Sequence, residues 1–215
     1  MLQHELIPAA AAHSRWRMLV MHGLGDSMEG YRWLPDALGL PWLGYVLVNA
    51  PDDYHGGYSW YDFMDDPAPG IARSRREVFE LLDAQRAEGV PAGQLFVFGF
   101  SQGCLMPLEV GMRYPHRLAG LVGVSGYVHE PERAVRELSP VATAQKFLVT
   151  LGSYDPLLPA ERVKGQLNLL KKDGGLDLRW HELAKEHTIA GEAELAIIRE
   201  FLLEQKAAAD AAPRG

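Results

Sequence analysis

Continuous apolar runs are the feature that most constrains the fold of this sequence. The runs are rich in Val, Leu, Phe and Met, and most of them show no alternation of apolar and polar residues. Strands of this kind are covered on both faces, as in a parallel sheet flanked by helices. The runs predicted to form strands are Arg17–His22, Tyr45–Asn49, Gln94–Phe100, Leu118–Val124, Lys146–Leu151 and the more polar Asp177–Leu183.

Segments with helical spacing of apolar residues separate these runs. They predict helices over residues 71–88, 102–114, 160–172 and 189–205. Strands that alternate with helices along a chain are typical of an α/β fold. The sequence therefore predicts a mostly parallel central sheet with helices on both faces.

Length and composition favour one domain. The chain has 215 residues, of which 47% are hydrophobic, so it can bury a full core. We find no internal repeat and no long polar linker. We therefore expect a single domain over residues 1–205 and a disordered tail over residues 206–215. Residues 52–70 form a long predicted loop, and loops of that length are commonly functional or disordered.

Charge and cysteine content exclude several classes of protein. Lys and Arg number 21 against 28 Asp and Glu, which gives a net charge of −7. Without a basic cluster, the chain is not expected to bind nucleic acid or to be held electrostatically on anionic membranes. No apolar run approaches the roughly 18 residues of a membrane span, and the N-terminus lacks a signal-peptide pattern. The lone Cys104 cannot form an intramolecular disulfide, and we expect a cytoplasmic protein.

A Gly-x-Ser-x-Gly pattern covers Gly99–Gly103, at the junction of a predicted strand and a predicted helix. A serine on such a sharp turn exposes its hydroxyl, and the flanking glycines leave room for the turn. The amides at the helix start also point toward the reacting centre. Ser101 is therefore the candidate nucleophile, and a chance match of the pattern is the alternative.

Two downstream residues have the chain order of the other members of a Ser-Asp-His triad. Asp155 follows one predicted strand and His187 follows the next, at the sheet edge where open α/β sheets bind ligands. His187 would take the serine proton, and Asp155 would orient His187. The open alternatives are a turn-opening or helix-capping role for Asp155, and His181 or His22 as the base.

A catalytic serine also needs two N–H groups that stabilise the oxyanion. The residue after the nucleophile, Gln102, would supply one, and Leu24 in the glycine-rich segment His22–Asp26 would supply the other. The alternatives for that segment are a simple glycine turn or a weak phosphate loop. The lysine of a Walker phosphate loop is absent from it.

Taken together, these motifs resemble the phospholipase/carboxylesterase family of α/β-hydrolases, which includes the acyl-protein thioesterases. The resemblance extends over roughly residues 15–205. It is carried by HGLGD (22–26), NAP (49–51), SWYD (59–62), GFSQG (99–103), RYP (113–115), VSGY (124–127), DPLLP (155–159) and EHTI (186–189).

The resemblance implies an α/β-hydrolase fold and a serine hydrolase that cleaves carboxylic esters or thioesters. Our own hypothesis is that the acyl groups are small to medium in size. The resemblance also implies a triad of Ser101, Asp155 and His187, oxyanion amides at Leu24 and Gln102, and no metal or cofactor. Two alternatives remain open. One is a non-catalytic module that binds ligands on a hydrolase scaffold, and the other is an acyltransferase that uses the same acyl-enzyme.

The acyl pocket is less well defined by the sequence. Aromatic residues crowd the loop 52–70, either to line a pocket or to pack the loop down. Trp60, by resemblance, and Leu157 are the predicted substrate-binding residues. Cys104 is interpreted as a small buried apolar residue, and the histidines lack the paired spacing of a zinc site. Oligomeric state is undecided, with a homodimer as one option.

Overall fold

The computed structural model describes residues 1–211, and its centre is a seven-stranded sheet. Each of the predicted apolar runs forms a strand of this sheet. The fourth and fifth strands of the chain form a separate hairpin. In chain order the strands are β1 (His4–Ile7), β2 (Arg17–Met21), β3 (Gly44–Val48), β4 (Asp52–Tyr54), β5 (Gly57–Ser59), β6 (Leu95–Phe100), β7 (Gly120–Val124), β8 (Lys146–Gly152) and β9 (Asp177–Leu183).

The order across the main sheet is β1-β3-β2-β6-β7-β8-β9. Every neighbouring pair is parallel except β1 with β3. Successive side chains of β2 lie on opposite faces of the sheet, with Leu19 and Met21 on one face and Met18 and Val20 on the other, and all four are buried. Both faces are covered, which is why the runs show no alternation in the sequence. The predicted mostly parallel α/β sheet is confirmed.

Helices lie on both faces of the sheet, as predicted. The helices are α1 (Leu34–Leu38), α2 (Ala68–Ala87), α3 (Leu105–Arg113), α4 (Pro131–Arg136), α5 (Ala160–Lys172) and α6 (Gly191–Ala211). Apolar side chains of α2, α3 and α5 join one core cluster, and those of α1 and α6 join the other. Within residues 1–211, no helix combines the length and the apolar character needed to cross a membrane.

The predicted loop over residues 52–70 contains regular structure at both ends. It begins with the β4–β5 hairpin, whose two-residue turn is His55-Gly56, and it ends in the first turn of α2. Both turn residues have positive φ, 47° and 91°, which is the backbone requirement of a type I′ hairpin turn. The irregular part of the segment is therefore shorter than the sequence indicated.

The prediction of a disordered tail over residues 206–215 is wrong for residues 206–211, because α6 continues to Ala211. Alanine is the strongest helix former, so the Ala-rich sequence extends the helix. The Lys206 ammonium lies 5.6 Å from the ring centre of Trp16 and 5.5 Å from that of Trp42. These cation–π contacts hold the added turns against the body of the protein. Residues 212–215 lie outside the described residues.

Candidate active site

Ser101 lies on a strained turn between β6 and the helical segment that leads into α3. Its φ is 54°, in the left-handed region that non-glycine residues rarely adopt. A single tight helical turn begins at Ser101 and passes directly into α3. Strain of this kind persists only where the surrounding structure enforces it, and it is typical of functional residues. The turn has the conformation predicted from the Gly-x-Ser-x-Gly pattern.

The two glycines of the pattern are required by close backbone contacts. A Cβ on Gly99 would lie 2.0 Å from the carbonyl oxygen of Gly103, and a Cβ on Gly103 would lie 2.3 Å from that of His22. Both distances are shorter than any real Cβ contact. Glycine is therefore needed at both positions to bring β6, the turn and the end of β2 together.

The predicted triad residues lie in hydrogen-bond contact. The Ser101 hydroxyl donates to His187 Nε2 at 2.6 Å, and His187 Nδ1 donates to Asp155 Oδ2 at 2.7 Å. Asp155 follows β8 and His187 follows β9, so parallel strands bring both loops to the sheet edge where β6 presents Ser101. This arrangement can move a proton from the serine to the imidazole and stabilise the resulting imidazolium.

The Asp155 side chain is buried and fully hydrogen bonded. Its Oδ1 accepts hydrogen bonds from the backbone N–H groups of Leu157 and Leu158, each at 2.9 Å, while Oδ2 accepts one from His187 Nδ1. Burial acts to raise the pKa of Asp155, but these hydrogen bonds outweigh burial and lower it. The carboxylate is therefore ionised at neutral pH. The two amide bonds also fix the turn that leads to Leu157.

The two predicted oxyanion donors, Leu24 and Gln102, line the same cavity as Ser101. Gly23 packs so closely that a Cβ there would lie 3.3 Å from Ser101 Cβ, which brings the following Leu24 to the nucleophile. Gln102 is the second residue of the turn, where no helical acceptor exists for its N–H. Over residues 1–211, neither N–H donates to a protein acceptor.

His22, the alternative base, has both ring nitrogens occupied. Its Nε2 accepts the Ala50 N–H at 3.1 Å, so Nδ1 carries the proton and donates to the Gly23 carbonyl at 2.6 Å. Burial lowers the pKa of His22, so the ring is neutral. His22 therefore holds the glycine-rich segment in place, and the other rival, His181, is an exposed residue of β9.

Trp60 is not a pocket residue, contrary to the prediction. The side chain is completely buried and lies outside the cavity lining. Its indole N–H donates to the His22 carbonyl at 2.9 Å, which fastens the end of β2. A large apolar side chain in a loop packs into the core as often as it contacts a ligand, and the sequence alone does not distinguish these two roles.

The Gln102 side chain has a role that the sequence did not reveal. Its Oε1 accepts the backbone N–H of Trp60 at 2.8 Å, and its Nε2 donates to the Tyr61 carbonyl at 2.7 Å. The buried amide thus joins the turn of the nucleophile to the segment after β5. A glutamine that follows a Gly-x-Ser motif is the only sequence signal for this connection.

A cavity of about 550 Å³ opens beside Ser101. Leu157 lines it and is 68% exposed, so this predicted substrate-binding residue lies at the open side. Leu24, Gln102 and His187 also contribute to the wall. The other lining residues, mostly apolar or aromatic, are Tyr61, Phe63, Tyr127, His129, Leu158, Arg162 and Val163.

Cys104 is close to the serine in sequence but is sealed in the core. Its sulfur packs against Gly123 and Gly126, where an added Cβ would lie 2.6 Å and 2.2 Å from it. Burial raises the pKa of the thiol to about 12, so Cys104 is an inert apolar residue. Among residues 1–211, no three His, Cys, Asp or Glu side chains are grouped as a metal site would require.

Comparisons with known proteins agree on the family. The phospholipase/carboxylesterase family model matches residues 2–205. Acyl-protein thioesterase 1 of Schizosaccharomyces pombe is 31% identical over 172 residues, which are 74% of this chain and 76% of that protein. A probable carboxylesterase of Oryza sativa subsp. japonica is 29% identical over 72% of this chain and 66% of its own length.

Solved structures give the same result for the fold. The crystal structure of esterase PE8 superposes with a TM-score of 0.81 at 27% identity, covering 94% of this chain and 98% of that one. Arabidopsis thaliana SOBER1 also gives 0.81, at 22% identity and with 89% and 99% covered, and this similarity concerns the fold alone. The chain therefore belongs to the phospholipase/carboxylesterase family and is a serine hydrolase of carboxylic esters or thioesters on an α/β-hydrolase fold.

Proposed function

We propose that Ser101, His187 and Asp155 act as the catalytic triad of this hydrolase. Ser101 Oγ attacks the carbonyl carbon of the substrate while His187 Nε2 takes the hydroxyl proton. Asp155 stabilises the imidazolium, and the N–H groups of Leu24 and Gln102 bind the oxyanion. His187 then gives the proton to the departing alcohol or thiol, and the acyl group remains on Ser101.

Water completes the cycle through the same groups. His187 removes a proton from a water molecule, the resulting hydroxide attacks the acyl-enzyme, and the acid product leaves as Ser101 regains its proton. The cavity is open, so water can reach the acyl group. The relatives named as thioesterases and carboxylesterases favour hydrolysis over transfer to another acceptor. The complete hydrogen-bonded set of residues favours catalysis over a module that only binds ligands.

One observation carries the proposal. The hydrogen bonds from Ser101 to His187, at 2.6 Å, and from His187 to Asp155, at 2.7 Å, form one chain that ends at the open cavity. Nucleophile, base and orienting acid are in contact, as the mechanism needs before substrate arrives.

The cavity supports acyl groups of small to medium size. Its volume of about 550 Å³ lies within the range of sites for small organic ligands. Side chains such as Phe63 and Leu158 offer an apolar surface to an acyl chain. The relatives named as acyl-protein thioesterases support thioesters, and those named as carboxylesterases support oxygen esters. We include both bond types in the proposal.

Initial rates on p-nitrophenyl esters from acetyl to palmitoyl test this function. We expect an optimum at a short or medium chain and, for Ser101→Ala, a fall in kcat of at least about 10³-fold. The matched control is Ser139→Ala, since Ser139 lies outside the cavity lining. A fluorophosphonate probe should modify Ser101 in the native protein. Equal activity of wild type and Ser101→Ala would refute the assignment.

A further inference from the structure

The loop that carries His187 is attached to α6 by a buried ion pair. The Lys185 ammonium donates to Glu194 Oε1 at 2.5 Å. Both side chains are almost fully shielded from solvent, with 2% of the Lys185 side chain and none of the Glu194 side chain exposed. The proposed mechanism does not use either group.

The remaining hydrogen bonds of this pair go to the backbone on the far side of His187. Lys185 Nζ donates to the Thr188 carbonyl at 2.9 Å, and the Ala190 N–H donates to Glu194 Oε2 at 2.6 Å. Lys185 precedes His187 by two residues, while Thr188 and Ala190 follow it. The ion pair therefore ties the backbone on both sides of the histidine to one point in the core.

Lys185 also contacts the loop that carries Asp155. Its carbonyl accepts the Tyr154 N–H at 3.1 Å. The same carbonyl packs against Gly152, where an added Cβ would lie 2.5 Å from it. One residue thus links the two loops whose side chains must meet at the Asp155–His187 hydrogen bond.

Stability alone does not explain a pair of this kind. Withdrawing two charges from water is costly, and a buried ion pair can often be replaced by apolar residues with no loss of stability. What apolar residues cannot supply is the set of directed bonds to the Thr188 carbonyl and the Ala190 N–H. Those bonds restrict the backbone that sets the position of the imidazole.

We propose that Lys185 and Glu194 are positioning residues that hold the His187 imidazole between Ser101 and Asp155. The proposal rests on the function proposed above. It assigns no contact with substrate to either residue. A loosened His187 loop would spend less time in the reactive geometry, so acylation and deacylation, which both use His187, would slow together while substrate binding in the cavity would not change.

The test is the double variant Lys185→Met/Glu194→Leu, which removes both charges together and keeps the site filled. We expect its melting temperature to fall by only a few degrees, because the freed Thr188 carbonyl and Ala190 N–H belong to exposed and half-buried residues that water can reach. We expect kcat to fall by about 30- to 100-fold, with KM within about twofold, because small misplacements of a catalytic group have effects of this size. Should the double variant fail to fold, Glu194→Gln takes its place with the same expectation for kcat and KM.

The matched control is Glu109→Gln. Glu109 is another buried carboxylate in an ion pair, with Arg75 at 2.7 Å and Arg113 at 2.9 Å, but it bonds to neither catalytic loop. We expect the control to keep the wild-type kcat. A double variant with wild-type kcat, or one that changes only KM, overturns the positioning role. If Ser101→Ala itself remained active, the proposed function would fail instead.

Discussion

The turn of Ser101 and the loop of His187 meet at one hydrogen bond but are held by different forces. Backbone atoms pressed against each other shape the Ser101 turn, and Gly99 and Gly103 permit those contacts. The His187 loop has a backbone contact of this kind beside the histidine, where the Lys185 carbonyl packs against Gly152. Charged side chains also hold this loop, with Asp155 on the ring and the Lys185–Glu194 pair on the backbone.

This difference separates rigid from adjustable parts of the site. Steric contacts rise steeply in energy with displacement, so we expect Ser101 to have one position. Hydrogen bonds between side chains tolerate small changes in distance and respond to protonation. We therefore expect changes at the Ser101 turn to act in an all-or-none manner, and changes around His187 to act by degrees.

Gly103→Ala should give the largest effect on stability. The new Cβ would lie 2.3 Å from the His22 carbonyl oxygen, so the backbone must shift. We expect the free energy of unfolding to fall by about 3 kcal/mol, at the upper end for overpacked cores, with loss of activity. Urea denaturation measures the change. Gly165→Ala is the control, because nothing lies within 4 Å of that position. If Gly103→Ala and Gly165→Ala lowered the free energy of unfolding equally, close backbone contacts would not be what shapes the Ser101 turn.

Gln102→Met should give an intermediate effect. It removes the acceptor of the buried Trp60 backbone N–H and one of the two donors to the Tyr61 carbonyl, which keeps the Ser59 hydroxyl. The backbone N–H of Gln102, the proposed oxyanion donor, is retained. We expect the free energy of unfolding to fall by about 2 kcal/mol, since the buried Trp60 N–H loses its partner. We expect kcat to fall less than about tenfold, because the oxyanion donors remain. A larger loss of kcat would mean that a side chain, and not backbone packing alone, holds the Ser101 turn.

The smallest effect should appear on acidification. The hydrogen bonds of Asp155 lower its folded-state pKa below the unfolded value of about 3.9. Its stabilising contribution is therefore present above that value and is lost as the pH falls through the folded pKa. We expect wild type to be about 1 kcal/mol more stable than Asp155→Asn at pH 6, with the gap narrowing toward pH 3. If the difference in the free energy of unfolding between wild type and Asp155→Asn did not change with pH, the ionised form of Asp155 would not contribute to holding His187.

The sequence predicted the parts that depend on local pattern. Buried strands produce continuous apolar runs, and the sharp turn at Ser101 requires glycine two residues before and two residues after the serine, so both features are visible in the sequence. Strand β1 was missed because this short edge strand alternates between half-buried and exposed positions, without an apolar run. The β4–β5 hairpin was missed because its three-residue strands are largely polar.

The parts that depend on distant contacts were not predictable. Trp60 looks the same in a sequence whether it lines a cavity or donates a hydrogen bond to His22. Lys185 and Glu194 read as ordinary surface charges, because their burial follows from the packing of α6 on the sheet. The sequence carries no local sign that these two charges meet in the core.

The attachment of the His187 loop to α6 has a consequence for protein synthesis. A ribosome releases the chain from its N-terminus, so Ser101 and Asp155 leave the exit tunnel before His187 does. The loop lacks its anchor until Glu194 and the apolar face of α6, with Ile198 and Phe201, have also emerged. A nascent chain would thus carry a Ser101 hydroxyl without its base until α6 has emerged. The order of the elements along the chain would then delay ester hydrolysis until α6 can pack on the sheet.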